Sequence, residues 1–113
     1  MKNIGIDLVE IEEIKKRSIE KISERILSDL EKNIYNNINH KEKKISFLAG
    51  RWASKEAIFK AYQKGNSTNN YRDWSILNNP QTGFPYVKHD SKCKIMISIS
   101  HTKNYALAFV ILL

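Results

Sequence analysis

The segment RWASKEAIFKA, residues 51–61, places one carboxylate among three cations. Glu56 lies four residues before Lys60, which is the spacing and order of a favourable helical ion pair worth about 0.2–0.5 kcal/mol. Arg51 and Lys55 are also four residues apart and fall on an apolar side of the pattern, where cations need anionic partners. A bound polyphosphate would supply more negative charge than Glu56 alone. From spacing, a simple Glu56–Lys60 ion pair and a phosphate site both stay open.

A second carboxylate, Asp7, lies inside the alternating segment NIGIDLVEI, where aspartate is disfavoured because a strand interior suits branched and aromatic side chains. Two carboxylates with open positions suit Mg²⁺, which keeps bound waters and takes further oxygens from substrate phosphates. The alternative for Asp7 is a role at a strand end or in capping a hairpin. Spacing alone does not show that Asp7 and Glu56 meet in space.

Other catalytic patterns find little support. His101 ends a strand pattern at a turn, in SISHT, where a histidine is commonly just an exposed turn residue. A Ser100–His101 nucleophile pair is disfavoured, because adjacent residues of a strand point to opposite faces. The three histidines and the single cysteine lack zinc-binding spacing, and the four glycines form no phosphate-binding loop.

The charge of the chain points to an anionic partner. The formal net charge is +7, and residues 32–113 hold 13 Lys and Arg against 4 Asp and Glu. Such a surface attracts phosphates, nucleic acid or an acidic protein, although simple solubility explains it equally well. The single cysteine, Cys93, excludes an internal disulfide and favours the cytoplasm. The length predicts one domain over 1–113, and the sequence shows no signal peptide or membrane span.

The elements that must position Asp7 and Glu56 are a strand and a helix. The alternation in NIGIDLVEI predicts a strand with Ile4, Ile6 and Leu8 toward the core. A helix is predicted over 11–35, followed by a polar loop.

The second predicted helix spans 45–64 and ends at Gly65 as its cap. It is apolar nearly all round, which indicates burial, in part by another subunit. Two hairpins follow, one from WSILN and FPYVKH and one from KIMISIS and YALAFVILL, and are predicted to form an antiparallel sheet. The predicted class is α+β.

Three stretches together resemble the holo-acyl-carrier-protein synthase family of phosphopantetheinyl transferases. They are GIDLVEI at 5–11, FLAGRWASKEAIFKA at 47–61 and SISHTKNYALAFVIL at 98–112, in the family's order. The segment ERILSDLE at 24–31 also resembles the end of the family's first helix. The resemblance spans nearly the whole chain and implies one phosphopantetheinyl transferase domain, with an antiparallel sheet packed with a long buried helix.

The resemblance implies Mg²⁺-dependent transfer of 4′-phosphopantetheine from coenzyme A to a serine of apo-acyl carrier protein, with release of adenosine 3′,5′-bisphosphate, in fatty acid biosynthesis. By position, Asp7 and Glu56 match the family's Mg²⁺ ligands, and Glu56, or a water that it orients, matches the base for the serine hydroxyl. Lys60 matches a lysine that contacts and stabilises the leaving phosphate. The residues expected at coenzyme A are Arg51, Lys60, His101 and Thr102.

The roles of two cations in the segment FLAGRWASKEAIFKA stay open. Arg51 is expected in the anion cluster, with the subunit interface as its alternative. Lys55 stays between the same two roles.

The resemblance also implies a homotrimer with each active site between neighbouring subunits. We expect a cytoplasmic location from the single cysteine, and no nucleic-acid or membrane partner. The carrier protein is typically acidic, which suits the basic balance of this chain. Two departures from the family are expected to alter detail: Glu12 and Glu13 stand where relatives often carry a basic residue, and QKGNSTNNYRDW lacks glycines usual there. Docking of the carrier is expected mainly on the first helix, at Lys16, Arg17, Lys21 and Arg25.

Two other functions compete with this one. A basic nucleic-acid-binding module would use Trp52, Tyr71 and Trp74 to stack on bases. It explains the charge but gives Asp7 and Glu56 no role. An assembly protein without catalysis is the third possibility, if the departures from the family have abolished activity.

Overall fold

The computed structural model describes residues 2–63, 70–89 and 94–113 and has the predicted α+β class. A long helix lies across an antiparallel sheet, as expected. In chain order the elements are β1 (Asn3–Glu10), α1 (Ile11–Lys16), α2 (Ile19–Ile26), α3 (Asp29–Asn36), α4 (Lys41–Tyr62), a short 3-10 turn (Tyr71–Asp73), β2 (Ser75–Asn78), β3 (Pro85–Lys88), β4 (Ile95–His101) and β5 (Tyr105–Leu112).

The described strands form two antiparallel sheets, so the prediction that both hairpins share one sheet is wrong. The three-stranded sheet has the order β1-β5-β4, and β2 pairs with β3 separately. Strand β1 was not assigned a partner from the sequence; it pairs along its whole length with β5, with Asp7 opposite Ala108.

Small residues allow α4 to lie very close to this sheet. A Cβ added to Gly5 of β1 would lie 1.9 Å from the carbonyl oxygen of Ala57 on α4. Further fully buried alanines occupy both sides of the contact: Ala49, Ala53, Ala57 and Ala61 on α4, and Ala106 and Ala108 on β5.

The direction predicted for β1 is therefore wrong, although its alternation is correct. Ile4, Ile6 and Leu8 are 52%, 53% and 59% exposed, because the side of the strand that carries Gly5 packs against the helix. The outward side chains continue across the paired strands. We call this surface the outer sheet face; its exposed apolar members are Ile4, Ile6, Leu8, Met96, Tyr105 and Phe109.

The single helix predicted over 11–35 is divided into three, which corrects that prediction. Two serines begin new helices: Ser18 Oγ accepts a hydrogen bond from Lys21 N, and Ser28 Oγ accepts one from Glu31 N. The Glu31 carboxylate in turn accepts from Ser28 N at 2.9 Å, which completes a capping box. A serine that caps a new helix turns the chain, because its own backbone is extended.

Helix α4 begins earlier than predicted, inside the expected polar loop, because His40 caps it through a hydrogen bond from Lys43 N. It ends at Tyr62, with Gln63 in a left-handed conformation at φ 61°. Gly65, the predicted cap, lies outside the described residues. Most apolar residues of α4 are buried within this chain, so its apolar character does not require burial by another subunit. In the described residues, no helix is long and apolar enough to cross a membrane.

Candidate active site

Both predicted metal ligands line one cleft of about 400 Å³. We call it the carboxylate cleft, defined by Asp7, Arg17, Arg25, Glu56 and Tyr71. The close packing of β1 on α4 creates it, because Asp7 follows Gly5 on the inner side of the strand and Glu56 precedes the Ala57 that Gly5 contacts. Two carboxylates far apart in the sequence thus meet at one opening.

Lys60 lies beside this cleft and bonds to Asp7, not to Glu56. Its Nζ donates to Asp7 Oδ1 at 2.9 Å and to the Ile6 carbonyl oxygen at 3.1 Å. The simple Glu56–Lys60 ion pair is therefore wrong, since the two described side chains have other partners. The Lys60 side chain is 56% exposed, which leaves its ammonium accessible to a phosphate in the cleft.

Glu56 is held by a tyrosine that the sequence did not indicate as part of the site. The Tyr71 hydroxyl donates to Glu56 Oε1. Burial of Tyr71, together with its hydrogen bond to Glu56, raises its pKa to about 12. The sequence indicates only a base-stacking role for Tyr71, because nothing in its spacing connects it to Glu56.

The donor set fits Mg²⁺. No group of three or more His, Cys, Asp or Glu side chains that could hold a metal alone occurs among residues 2–63, 70–89 and 94–113. Two carboxylates in an open cleft leave coordination positions for water and phosphate oxygens, which is the arrangement that Mg²⁺ favours. Zinc, which takes nitrogen and sulfur ligands in closed sites, is not suited here.

Arg51 and Lys55 have protein partners, so their burial does not require a bound polyphosphate. Lys55 is fully buried and donates to the carboxylate of Glu31 and to a carbonyl oxygen of α2. That excludes both roles left open for it, phosphate contact and subunit interface. Arg51 is 5% exposed and donates from Nε to the Ile76 carbonyl oxygen at 3.1 Å and from Nη2 to Asn78 Oδ1 at 2.6 Å.

Glu31 is the anion that sequence reasoning missed. Its Oε2 accepts from Ile76 N at 2.7 Å, and its Oε1 accepts from Lys55 and from Ser28 N. Burial lowers the pKa of Lys55, and the charge of Glu31 opposes that shift. We call these residues the Glu31–Lys55 network. The capping-box spacing after Ser28 is the signal in the sequence that could have singled out Glu31.

His101 and Thr102 do not line the carboxylate cleft of their own chain. The His101 ring lies against Gly50 of α4, and its Nε2 is 3.2 Å from the Ser46 carbonyl oxygen. Gly50 is about 9 Å along the helix from Glu56. Burial lowers the pKa of His101, with a smaller contribution from the charge of Arg51. Binding of coenzyme A by Arg51, His101 and Thr102 stays a prediction.

The predicted docking cations cluster beside the carboxylate cleft. Arg17, Lys21 and Arg25 line an apolar groove together with Trp52, and we call it the arginine groove. Arg17, Arg25 and Trp52 line both cavities, so the two are adjacent. Lys16 lies in the last turn of α1 and is exposed.

The base-stacking alternative loses two of its three predicted aromatics. Tyr71 and Trp74 are each 5% exposed, which leaves little ring surface for a nucleotide. Trp74 is packed instead against Phe59, Tyr62 and His89.

Comparison with known proteins identifies the class. The sequence pattern of the 4′-phosphopantetheinyl transferase superfamily matches residues 3–110, and this chain belongs to that superfamily. Two relatives in it are both holo-[acyl-carrier-protein] synthases. The one from Acholeplasma laidlawii is 50% identical over 111 residues, covering 96% of this chain and 93% of the relative. The one from Onion yellows phytoplasma is 51% identical over 119 residues, covering 98% and 93%.

Solved structures agree with this family. The holo-(acyl-carrier-protein) synthase of Bacillus anthracis, in complex with CoA (3′,5′-ADP), has a TM-score of 0.89 and 33% identity, covering 98% of this chain and 95% of that one. The Helicobacter pylori enzyme in complex with coenzyme A has a TM-score of 0.80 and 32% identity, covering 96% and 98%. The resemblance inferred from the three sequence stretches is confirmed.

Proposed function

We propose that this chain transfers 4′-phosphopantetheine from coenzyme A to a serine of apo-acyl carrier protein, with Mg²⁺, and releases adenosine 3′,5′-bisphosphate for fatty acid biosynthesis. The observation that carries the proposal is the meeting of Asp7 and Glu56 in one open cleft beside Lys60. The names of the relatives and the coenzyme A complexes of the solved neighbours support the choice of substrates. We propose a cytoplasmic location because the chain has a single cysteine.

The residues of the cleft divide the chemistry among them. Asp7 and Glu56 would hold Mg²⁺, which neutralises charge on the pyrophosphate oxygens when bound. The serine oxygen forms a bond to the phosphorus that carries pantetheine, and the bond from that phosphorus to the leaving 5′-phosphate breaks. Glu56, or a water that it orients, takes the serine proton. Lys60 turns from Asp7 to the leaving phosphate and stabilises its charge.

The arginine groove is the proposed docking surface for the carrier protein. Arg17, Lys21 and Arg25 present positive charge beside an apolar floor, which suits an acidic partner that also buries apolar side chains. The groove adjoins the carboxylate cleft, so a carrier bound there would have its serine near Glu56. Lys16 extends this basic surface along α1. Neither a nucleic acid nor a membrane is needed as a partner.

We further propose that three copies assemble through the outer sheet face. Large apolar side chains on neighbouring strands are exposed there, and contiguous patches of this kind mark interaction surfaces. Assembly would also explain why the predicted coenzyme A contacts lie away from the predicted metal ligands within one chain. Arg51, His101 and Thr102 would then contact coenzyme A in the cleft of a neighbouring subunit.

The test of the reaction is a transfer assay read by mass spectrometry of the carrier protein. Purified protein, Mg²⁺, coenzyme A and apo-carrier are expected to give the mass of the phosphopantetheinylated carrier. Asp7→Asn and Glu56→Gln should lose Mg²⁺-dependent transfer while keeping the wild-type melting temperature. Tyr86→Phe, on β3 outside the cleft, is the control. Full activity in both carboxylate variants would refute the metal site.

The test of the assembly is complementation between inactive chains. Asp7→Asn and His101→Ala chains are unfolded and refolded together. If each site lies between subunits, about a quarter of the interfaces regain both intact residues and activity returns. If each site lies within one chain, no activity returns. Phe109→Glu should also dissociate the assembly in light scattering, whereas Tyr86→Glu should not.

A further inference from the structure

Tyr71 is anchored from several directions at the edge of the carboxylate cleft. Its ring centroid lies 5.1 Å from that of Phe59, and the guanidinium of Arg25 lies 5.3 Å from its centre. The turn that carries it is capped by Asn70, whose side chain accepts from Arg72 N at 3.0 Å. Only 5% of Tyr71 is exposed, so the ring has little freedom to move.

Arg72 ties the same turn to the start of α3. Its Nη2 donates to Asp29 Oδ1 at 2.8 Å. The turn therefore cannot shift without breaking this bond or unpacking the ring of Tyr71. A fixed phenol is a suitable partner for a flexible carboxylate.

Glu56 gains a defined position from this partner. A glutamate side chain has three rotatable bonds and samples many rotamers when nothing holds it. The hydroxyl of Tyr71 bonds one of its oxygens, Oε1, and leaves Oε2 as the second acceptor of the carboxylate. The indole of Trp52 lines the cleft together with Glu56 and Tyr71.

We propose that Tyr71 is a positioning residue that orients Glu56 toward the metal and the serine hydroxyl. This inference rests on the proposed function, because it assigns Tyr71 a role in that same site. Partners that orient metal ligands from behind are generally worth 10–100-fold in metal affinity or activity. The hydroxyl of Tyr71 is the only atom that the role requires, since the ring serves packing.

The test is Tyr71→Phe, which keeps the ring and removes the hydroxyl. Mn²⁺ is used as a paramagnetic probe for the Mg²⁺ site, and its affinity is measured by EPR with coenzyme A present. We expect roughly 10-fold to 100-fold weaker Mn²⁺ binding and a lower kcat, with the KM for carrier protein unchanged. Tyr35→Phe is the matched control, because Tyr35 is also buried but lines another cavity. It should behave as wild type.

A double-mutant cycle separates positioning from a general structural effect. The affinity for coenzyme A with Mg²⁺ is measured by calorimetry for Tyr71→Phe, Glu56→Ala and the double variant. If Tyr71 acts through Glu56, its loss weakens binding in the wild-type background and has no further effect beside Glu56→Ala. Near-UV circular dichroism gives the folded fraction, so every value refers to folded protein.

Two results would overturn the inference. One is wild-type Mn²⁺ affinity and kcat in Tyr71→Phe; the other is an equal loss in both backgrounds of the cycle. Failure of the proposed function itself has a different signature, namely no transfer by the wild-type protein in the same assay.

Discussion

Replacing Lys55 by methionine should destabilise the protein strongly while leaving substrate affinity unchanged. Lys55 and Glu31 are both fully buried, and together they join four elements: α2, α3, α4 and β2. Methionine keeps most of the volume of the lysine side chain and avoids a large cavity. The substitution therefore removes mainly one charge and its hydrogen bonds.

The loss of stability in Lys55→Met depends on the hydrogen bonds that the Glu31 carboxylate retains. Breaking a buried ion pair by removing one partner costs about 3–5 kcal/mol. Glu31 retains hydrogen bonds from Ser28 N and Ile76 N, which places the cost toward the lower end. The Ile26 carbonyl oxygen also loses its donor, worth about 1 kcal/mol. We expect a total of about 3–4 kcal/mol, or a melting temperature lower by roughly 12–16 °C.

Urea unfolding, followed by tryptophan fluorescence at neutral pH, measures this loss. Lys43→Met, an exposed substitution on the same helix, is the control and should change stability by less than about 0.5 kcal/mol. Adding Glu31→Gln to Lys55→Met removes the unpaired charge and should recover about 2 kcal/mol. The KM for coenzyme A should not change in folded Lys55→Met.

Any of three outcomes would refute this reasoning. A loss below about 1 kcal/mol would mean that the buried charge of Glu31 is tolerated without its cation. A double variant less stable than Lys55→Met would mean that the two residues do not stabilise each other. A raised KM for coenzyme A would return Lys55 to the phosphate site.

Three further predictions concern packing and pH. Gly5→Ala should lower the free energy of unfolding by about 3 kcal/mol or more, measured in urea, because the new Cβ meets the backbone of Ala57. Gly50→Ala should lower it less, because its Cβ meets mainly the movable ring of His101. The reverse order would contradict the close approach of β1 to α4. Folding raises the pKa of Tyr71 from 10.0 to about 12, so the free energy of unfolding should fall by about 2 kcal/mol as pH rises from 10 to 12. Tyr71→Phe should remove that loss. The same dependence of stability on pH in Tyr71→Phe and wild type would contradict this prediction. Burial lowers the pKa of His101, so the unfolded chain takes up a proton on acidification before the folded chain does. Stability measured by urea unfolding should therefore fall less steeply in His101→Asn than in wild type as pH is lowered through the unfolded pKa of histidine, and equal slopes would contradict this.

The sequence predicted the positions of the elements better than their orientation. The alternation of β1 depends on its own residues, and the sequence therefore predicts it correctly. Which side faces inward depends on what packs against it, and the closeness of α4 selects the side with Gly5. Choosing the more apolar side therefore put Ile4, Ile6 and Leu8 in the core, whereas they are on the surface.

The candidate site was predicted in part, and mainly through resemblance. The meeting of Asp7 and Glu56 could not be worked out from spacing, because it depends on how β1 crosses α4. Partners distant in the chain were missed for the same reason. The role of Lys55 stays open in the sequence because its counter-ion, Glu31, lies on another helix. Tyr71 reaches Glu56 from a turn beyond the end of α4.

The order of the sheet has a consequence for folding during synthesis. Strand β5 is central, yet it is the last described element, and it pairs with β1 from Asn3 opposite Leu112 onward. The helices and the β2–β3 hairpin can therefore leave the ribosome well before the three-stranded sheet can close. Until β5 arrives, the alanine-rich side of α4 has no sheet to cover it, and contacts of such long range slow folding. The strand pairing of β1, although β1 is made early, must therefore wait for β5.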